Sequence, residues 1–306
     1  MDISDILYVE IGKKKAYARK PVSDYAVYIK PMLIHKEIKK VTNLTAIISN
    51  TIKFLKPGIE NAMLENLTNQ LVEFSLKMSE IAERVSVNNP YTISSLEAKF
   101  PNIPLSALLK KEFEKVNITL YDTETVNVYD TYCWELSKFL DTANPNTLYN
   151  YGGFLTLFPY LGYVNISNVS ERKSRNWSEC ITLLDESARD VLDNLYITNE
   201  PNHTAIKTEV EDIARKVIEA FNETLQKNSW IDSKTRQAFE KQLKEAPMGI
   251  GYPEALLDMS ALEALYKYVP YFPSNTSFTE ALYYFRENLY KMNLRKFRHP
   301  EESNWR

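Results

Sequence analysis

The 306 residues carry 44% hydrophobic and 25% charged side chains and a formal net charge of −3. That is apolar material for one large or two ordinary domains, with no excess of cations to track a phosphate backbone or an anionic lipid surface, so nucleic acid is excluded as an expected partner. Seven glycines, close together only at Gly152-Gly153 and Gly249-x-Gly251, are too few for a phosphate-cradling loop, and no apolar run reaches the ~18 residues that cross a bilayer.

The chain begins MDISDILYVEIGKKK, without the basic start, apolar stretch and small-residue cleavage site of a signal peptide. Acceptors of the form N-x-S/T nevertheless occur at Asn43, Asn66, Asn117, Asn165, Asn168, Asn176, Asn202, Asn222 and Asn275, against roughly three expected from composition. The excess favours an extracellular or cell-surface ectodomain whose leader or membrane anchor lies outside this sequence. The competing reading is an asparagine- and threonine-rich cytosolic chain. Cys133 and Cys180 permit at most one internal disulfide, which excludes a disulfide scaffold.

Apolar spacing is helical almost throughout. Leu7–Ile11 reads as a short strand. Pro57-Gly58 then punctuates the start of a stripe through Ile59, Met63, Leu67, Leu71, Phe74, Met78 and Ile81. Ser94 and Glu97 suit a capping box, Pro104 a first helical position, and Asn117–Tyr121 a second short strand. Tyr129, Cys133, Leu136 and Leu140 form another core-facing stripe, as do Ile206, Val210, Ile213, Val217, Phe221 and Leu225. Asp232 caps the helix that runs through Lys241. Breaks fall at Asn144-Pro145, Glu200-Pro201, Gly249 to Pro253 and Pro270 to Pro273. The expected fold is mainly α, a multi-helix lobe with few short strands and no central sheet of four or more. No repeat, low-complexity segment or composition shift divides residues 1–306.

Reactive groups do not converge in the sequence. His35, His203 and His299 lie far apart and read as surface or capping residues, and no local pattern holds a metal. There is no G-x-S-x-G elbow, and neither cysteine has a catalytic context. The acidic run Glu209-Glu211-Asp212 reads as a solvated face. Twenty tyrosines, clustered at Tyr149 and Tyr151, Tyr266 to Tyr271 and Tyr283-Tyr284, allow two readings: a peptide-binding wall, or packing at the edge of the core.

The stretch Ser229-Trp-Ile-Asp-Ser-Lys-Thr-Arg-Gln-Ala, followed by Gly249-Ile-Gly-Tyr-Pro253, resembles a signature of the neprilysin and endothelin-converting-enzyme family of zinc metallopeptidases, in its N-terminal, non-catalytic region. Arg175-Asn-Trp177-x-x-Cys180 is similar to that family's R-x-W-x-x-C segment, and Leu148-Tyr-Asn150-Tyr151 to its L-x-N-Y helix. The likeness runs from roughly Tyr25 to Trp305 and is strongest from Arg175 to Pro253. It marks Asn150, Arg175, Trp177, Cys180, Trp230, Asp232, Gly251, Tyr252 and Pro253 as structural motif residues, with Trp177 and Trp230 expected as core anchors.

The family's glycine-rich L-P-x-R-D-Y-Y tract is not recognisable in Gly12 to Tyr25. Its zinc helix, His-Glu-x-x-His, and its substrate-binding asparagine-alanine segment have no counterpart here. The resemblance therefore implies a helical region that supplies cavity wall and substrate size selection, with no catalytic residue or cofactor of its own. Zinc and peptide substrate would engage a catalytic half outside this sequence. A peptidase-derived secreted binding protein without catalysis is the alternative. The resemblance also pairs Cys180 with a cysteine earlier in the family's chain; the only candidate here is Cys133, and two free thiols are expected instead.

Overall fold

The computed structural model describes residues 7–13, 25–84, 87–161, 177–245 and 249–299. The strands are β1 (Leu7–Lys13), β2 (Tyr25–Pro31), β3 (Asn88–Thr92) and β4 (Thr125–Tyr129). The helices are α1 (Leu33–Glu37), α2 (Leu44–Leu55), α3 (Asn61–Glu83), α4 (Leu96–Lys99), α5 (Leu105–Glu114), α6 (Asp130–Thr142), α7 (Pro145–Leu157), α8 (Trp177–Asn199), α9 (His203–Lys227), α10 (Ser233–Glu245), α11 (Met259–Leu265) and α12 (Phe278–Arg295). The fold is mainly α, as the apolar spacing predicts. It divides into two compact units: Met1–Asn176 with Tyr268–Asn304, and Trp177–Lys267.

The first unit is built on a four-stranded sheet of order β1-β2-β4-β3, which overturns the expectation that no central sheet of four or more strands forms; of its strands only β1 is foreseen from the sequence. β1 alternates as a half-buried strand should, with Leu7, Val9 and Ile11 turned into the core. It pairs antiparallel with β2, and β2 pairs parallel with β4 through Val27↔Val126 and Ile29↔Val128. The expected strand at Asn117–Tyr121 does not form. Asn117 takes a left-handed φ of 58° just after α5, and the Ile118 N–H returns to the Phe113 carbonyl at 3.0 Å, which closes the helix end instead. Strand β4 follows a few residues later. Its partner β3 reads Asn-Asn-Pro-Tyr-Thr, a polar edge strand whose proline a central position would not tolerate.

The helices pack on this sheet around one cluster of buried residues that includes Ile29, Ile48, Leu71, Phe74, Met78, Phe100, Phe113, Val128, Tyr132, Leu136 and Leu294. In α3 the predicted stripe holds from Leu71 to Ile81, but its first two turns face differently: Leu64 and Thr68 are buried and Met63 is exposed. Asn144 caps α7 by accepting from the Asn146 and Thr147 N–H groups, with Pro145 at the first helical position. The Ser94 capping box is absent, because a 3-10 turn at Ile93–Ser95 precedes α4 and no side chain caps that helix. Pro104 sits one position earlier than expected, as the cap of α5.

His35 is neither a surface nor a capping residue. It is buried, and its Nδ1 lies 2.9 Å from the buried Tyr151 hydroxyl. Tyr151 in turn packs on Phe74 with ring centroids 4.8 Å apart, so the polar pair is satisfied inside an aromatic cluster. Cys133 is a buried free thiol. Burial, and then the nearby Asp130 carboxylate, push its pKa upward.

The second unit is thinner. Its buried cluster is Ile197, Leu256 and Leu262, flanked by partly buried Val191, Tyr252, Leu257, Leu265 and Tyr266. The buried Asn194 amide donates to the Leu256 carbonyl at 2.6 Å and fixes the turn before α11 against α8. Helix α9 forms as its periodicity predicts, but its apolar face is not core. Ile206, Val210, Ile213, Val217 and Phe221 are all exposed, and only Leu225 is buried.

Candidate functional site

Two turns of the second unit carry most of the motif residues. In the first, Asp232 stands immediately before α10. One carboxylate oxygen accepts from the Thr235 N–H at 2.9 Å and the other from the Thr235 hydroxyl at 2.6 Å, satisfying donors that a helix start leaves open. Those Thr235 bonds hold the carboxyl below its ordinary pKa. Arg236 closes the same turn from the other side. Its guanidinium donates to the carbonyls of Gln226 at 3.3 Å, Asn228 at 2.7 Å and Ile231 at 3.3 Å, so it binds the end of α9 to the start of α10.

Trp230 does not staple this turn. It is 82% exposed, and Trp177 is 76% exposed, which corrects the expectation that both are core anchors. The neighbouring Ile231 takes the buried position instead.

The second turn is Ile250-Gly251-Tyr252-Pro253. Gly251 has φ +72°, and a Cβ there would meet only Lys207 methylenes at 3.6 and 3.8 Å; the conformation, rather than lack of space, calls for glycine. The turn is held on the first two turns of α9. The Tyr252 hydroxyl is hydrogen-bonded to His203 Nδ1. Lys207 donates to the Tyr252 carbonyl at 3.2 Å, lies over its ring at 4.7 Å, and pairs with Glu254. That carboxylate raises the pKa of the Lys207 ammonium. Pro253 leads into the 3-10 turn Glu254–Leu257. His203 and Lys207 were not foreseen as motif partners. They sit four apart on one helical face, but nothing in their spacing announces Tyr252, some 45 residues on.

Beside this turn opens a cavity of about 220 Å³ lined by Tyr196, Ile197, His203, Ile206, Val210 and Tyr252 among others. The exposed α9 stripe runs on from its rim through Ile213, Val217 and Phe221. The second unit thus presents a small apolar pocket continuous with an apolar helix face.

The remaining motif residues are not brought together with these. Asn150 is exposed on α7, while its neighbour Tyr151 does the packing. Cys180 lies within α8, though its side chain and Arg175 fall outside the described residues. Among the glycosylation acceptors, Asn43, Asn66, Asn117, Asn202, Asn222 and Asn275 are exposed; Asn165, Asn168 and Asn176 lie outside the described residues. No group of three His, Cys, Asp or Glu able to hold a metal ion occurs among the described residues, and no described helix is long and apolar enough to cross a membrane.

These features define a class: a helical assembly organised by capped turns and apolar surface, with no clustered reactive groups among its described residues. The model of peptidase family M13 for the N-terminal region matches residues 16–253, and the chain belongs to that family. It is 27% identical over 170 residues to neprilysin-2 of Caenorhabditis elegans, covering 55% of this chain and 22% of that protein. To human membrane metallo-endopeptidase-like 1 it is 22% identical over 259 residues, 78% of this chain and 32% of the other. To mouse neprilysin it is 23% identical over 183 residues, covering 53% and 23%. The chain therefore spans about a fifth to a third of the length of these relatives. Its fold is similar to that of the Mycobacterium tuberculosis zinc metalloprotease ZMP1 in its open state, with a TM-score of 0.64 at 12% identity, covering 95% of this chain and 47% of that one.

Proposed function

We infer that the chain is the non-catalytic, N-terminal part of a neprilysin-like zinc metalloendopeptidase that cleaves peptides outside the cell. In this reading it contributes cavity wall and substrate size selection, while zinc and the reacting groups come from polypeptide beyond the sequence described. The exposed asparagine acceptors would carry glycans in that setting.

The observation that carries the reading is the α9 face. Five apolar side chains lie exposed in one continuous row, from 44% at Val210 to 63% at Val217, in a chain of family M13. A continuous apolar row of this kind is what a helix presents to another polypeptide at an interface. The same row also favours the alternative, a peptidase-derived protein that binds a partner without catalysis.

Two measurements test the inference. The purified chain should retain only substoichiometric zinc after dialysis and should not hydrolyse an internally quenched peptide; stoichiometric zinc with chelator-sensitive cleavage would overturn the non-catalytic assignment. The gene downstream of Arg306 should encode His-Glu-x-x-His in frame, whereas an early stop would favour the binding protein.

A further inference from the structure

A cleft of about 620 Å³ in the first unit lies between β1, the ends of α5 and α7, and α12. Its volume is in the range of sites that take a small molecule or a short stretch of peptide. Four tyrosines line it, Tyr8 from β1, Tyr160 from the turn after α7, and Tyr283 and Tyr290 from α12; Tyr283 belongs to one of the tyrosine clusters seen in the sequence. Tyr283 and Tyr8 are each more than 40% exposed, so their rings are wall rather than core. Burial of their remaining surface pushes both phenols above their ordinary pKa.

The charges in the cleft are unevenly matched. Lys291 pairs with Glu287 one turn away at 2.8 Å. Lys115 pairs with the buried Glu112 at 3.0 Å. Arg286 has no carboxylate partner among the described residues; its guanidinium lies over the Tyr160 ring, 5.2 Å from the centroid. A ring face attracts the cation without accepting through the in-plane lone pairs a carboxylate offers, so the guanidinium keeps donors for a carboxylate, which arginine can receive through two parallel bonds. Among the described residues the cleft thus offers one cation without a carboxylate partner, set in aromatic wall.

We propose that this cleft binds a peptide segment in which a glutamate or aspartate adjoins an aromatic residue, the carboxylate on Arg286 and the aromatic side chain against Tyr8, Tyr160 and Tyr283. The ligand chemistry is one anion beside one flat apolar group. That a peptide rather than a free aromatic acid supplies it rests on the peptidase reading above. The site is separate from the α9 face and needs no metal, so its occupancy is measured independently of zinc and of cleavage.

The test uses the full chain and isothermal calorimetry with three probes: the blocked peptide acetyl-Gly-Phe-Glu-Gly-amide, its Gln counterpart, and phenylacetate. The Glu peptide should bind about tenfold more tightly than the Gln peptide, the contribution of one charge-assisted pair. Phenylacetate should bind more weakly than the Glu peptide. In Arg286→Gln the preference for Glu over Gln should vanish, and Arg286→Lys should restore only part of it, because the ammonium lacks the fork. Equal binding of the two peptides to the wild-type chain, or none at millimolar concentration, overturns the site. That comparison stands even if an Arg286 variant fails to fold. Phenylacetate binding as tightly as the Glu peptide overturns the assignment to a peptide. None of these outcomes bears on whether the chain lacks catalytic zinc, so the two proposals fail separately.

Discussion

Helices α3 and α9 are nearly the same length, with apolar residues at the same three- and four-residue steps, yet they meet opposite fates. In α3 the row Leu71, Phe74, Met78 and Ile81 is buried against α2, α6 and α7 of the sheet-based unit. In α9 the row from Ile206 to Phe221 faces solvent. Periodicity reports that a helix has an apolar side. Whether that side is buried depends on what the rest of the fold places opposite it. The first unit assembles a cluster spanning β1, β2, β4 and most of its helices, with Tyr91 of β3 packed against it, whereas the second closes around Ile197, Leu256 and Leu262.

The sharpest way to test this contrast is truncation in the first core. Phe113 is fully buried and meets Phe297 edge-on with centroids 5.6 Å apart. Phe113→Ala should cost about 3–5 kcal/mol in urea unfolding followed by circular dichroism. A loss below 1 kcal/mol would mean the first unit is no better packed than the second.

A smaller effect is expected where the second unit relies on polar closure. Arg236→Met removes three bonds to carbonyls at the α9–α10 turn and should cost about 1–3 kcal/mol, read as earlier loss of helical signal in the same titration. Asp232, in the same turn, has a lowered folded pKa. Its contribution is therefore complete above the pKa of the unfolded carboxyl and is lost as pH falls through the folded value. Asp232→Asn should flatten the acid limb of the melting profile; an unchanged limb would assign that limb to other carboxylates.

In the alkaline range the first unit should respond through Tyr91. Burial, and then the bond its hydroxyl donates to Asp130 at 2.8 Å, push this phenol up to about 12 from the usual 10.0. The unfolded phenol ionises first, so this stabilisation is complete below pH ~10 and declines as pH rises through ~12. Spectrophotometric titration of Tyr91→Phe should lack one late-ionising group relative to wild type. Retention of every late group would place Tyr91 in water.

The smallest effects should come from the two motif tryptophans. Trp177→Ala and Trp230→Ala should each change stability by less than about 0.5 kcal/mol, as exposed positions do. A cost of several kcal/mol for either would restore the stapling role that the W-I-D turn suggests.

Much of this architecture is legible in the sequence because helices announce themselves locally. The cap at Asp232, the breaks at Asn144-Pro145 and Glu200-Pro201 and the long stripes of α3 and α9 all depend on residues within a turn or two of one another. The sheet is poorly legible because β3 and β4 are five residues each, and β4 finds its parallel neighbour about a hundred positions earlier. The burial of His35 is equally hidden: its partner Tyr151 is 116 positions away. At the motif turns, Asp232 and Gly251 can be assigned from cap and turn chemistry. Trp230 misleads, since an aromatic in a recurrent motif invites a packing role that Ile231 performs.

The position of α12 has a consequence for how the protein is made. The first unit is interrupted by the second and is completed only when Leu294 enters its core, Phe297 reaches Phe113, and Arg295 and Arg298 reach the carbonyls of Val116 and Thr119. On the ribosome, at ~5–20 residues per second, the sheet and its early helices wait roughly seven to thirty seconds for their closing helix, the time in which the inserted unit is synthesised. During that interval the edge of β1 that α12 packs against is open, and a nascent chain stalled before residue 278 would expose it for as long as the stall lasts.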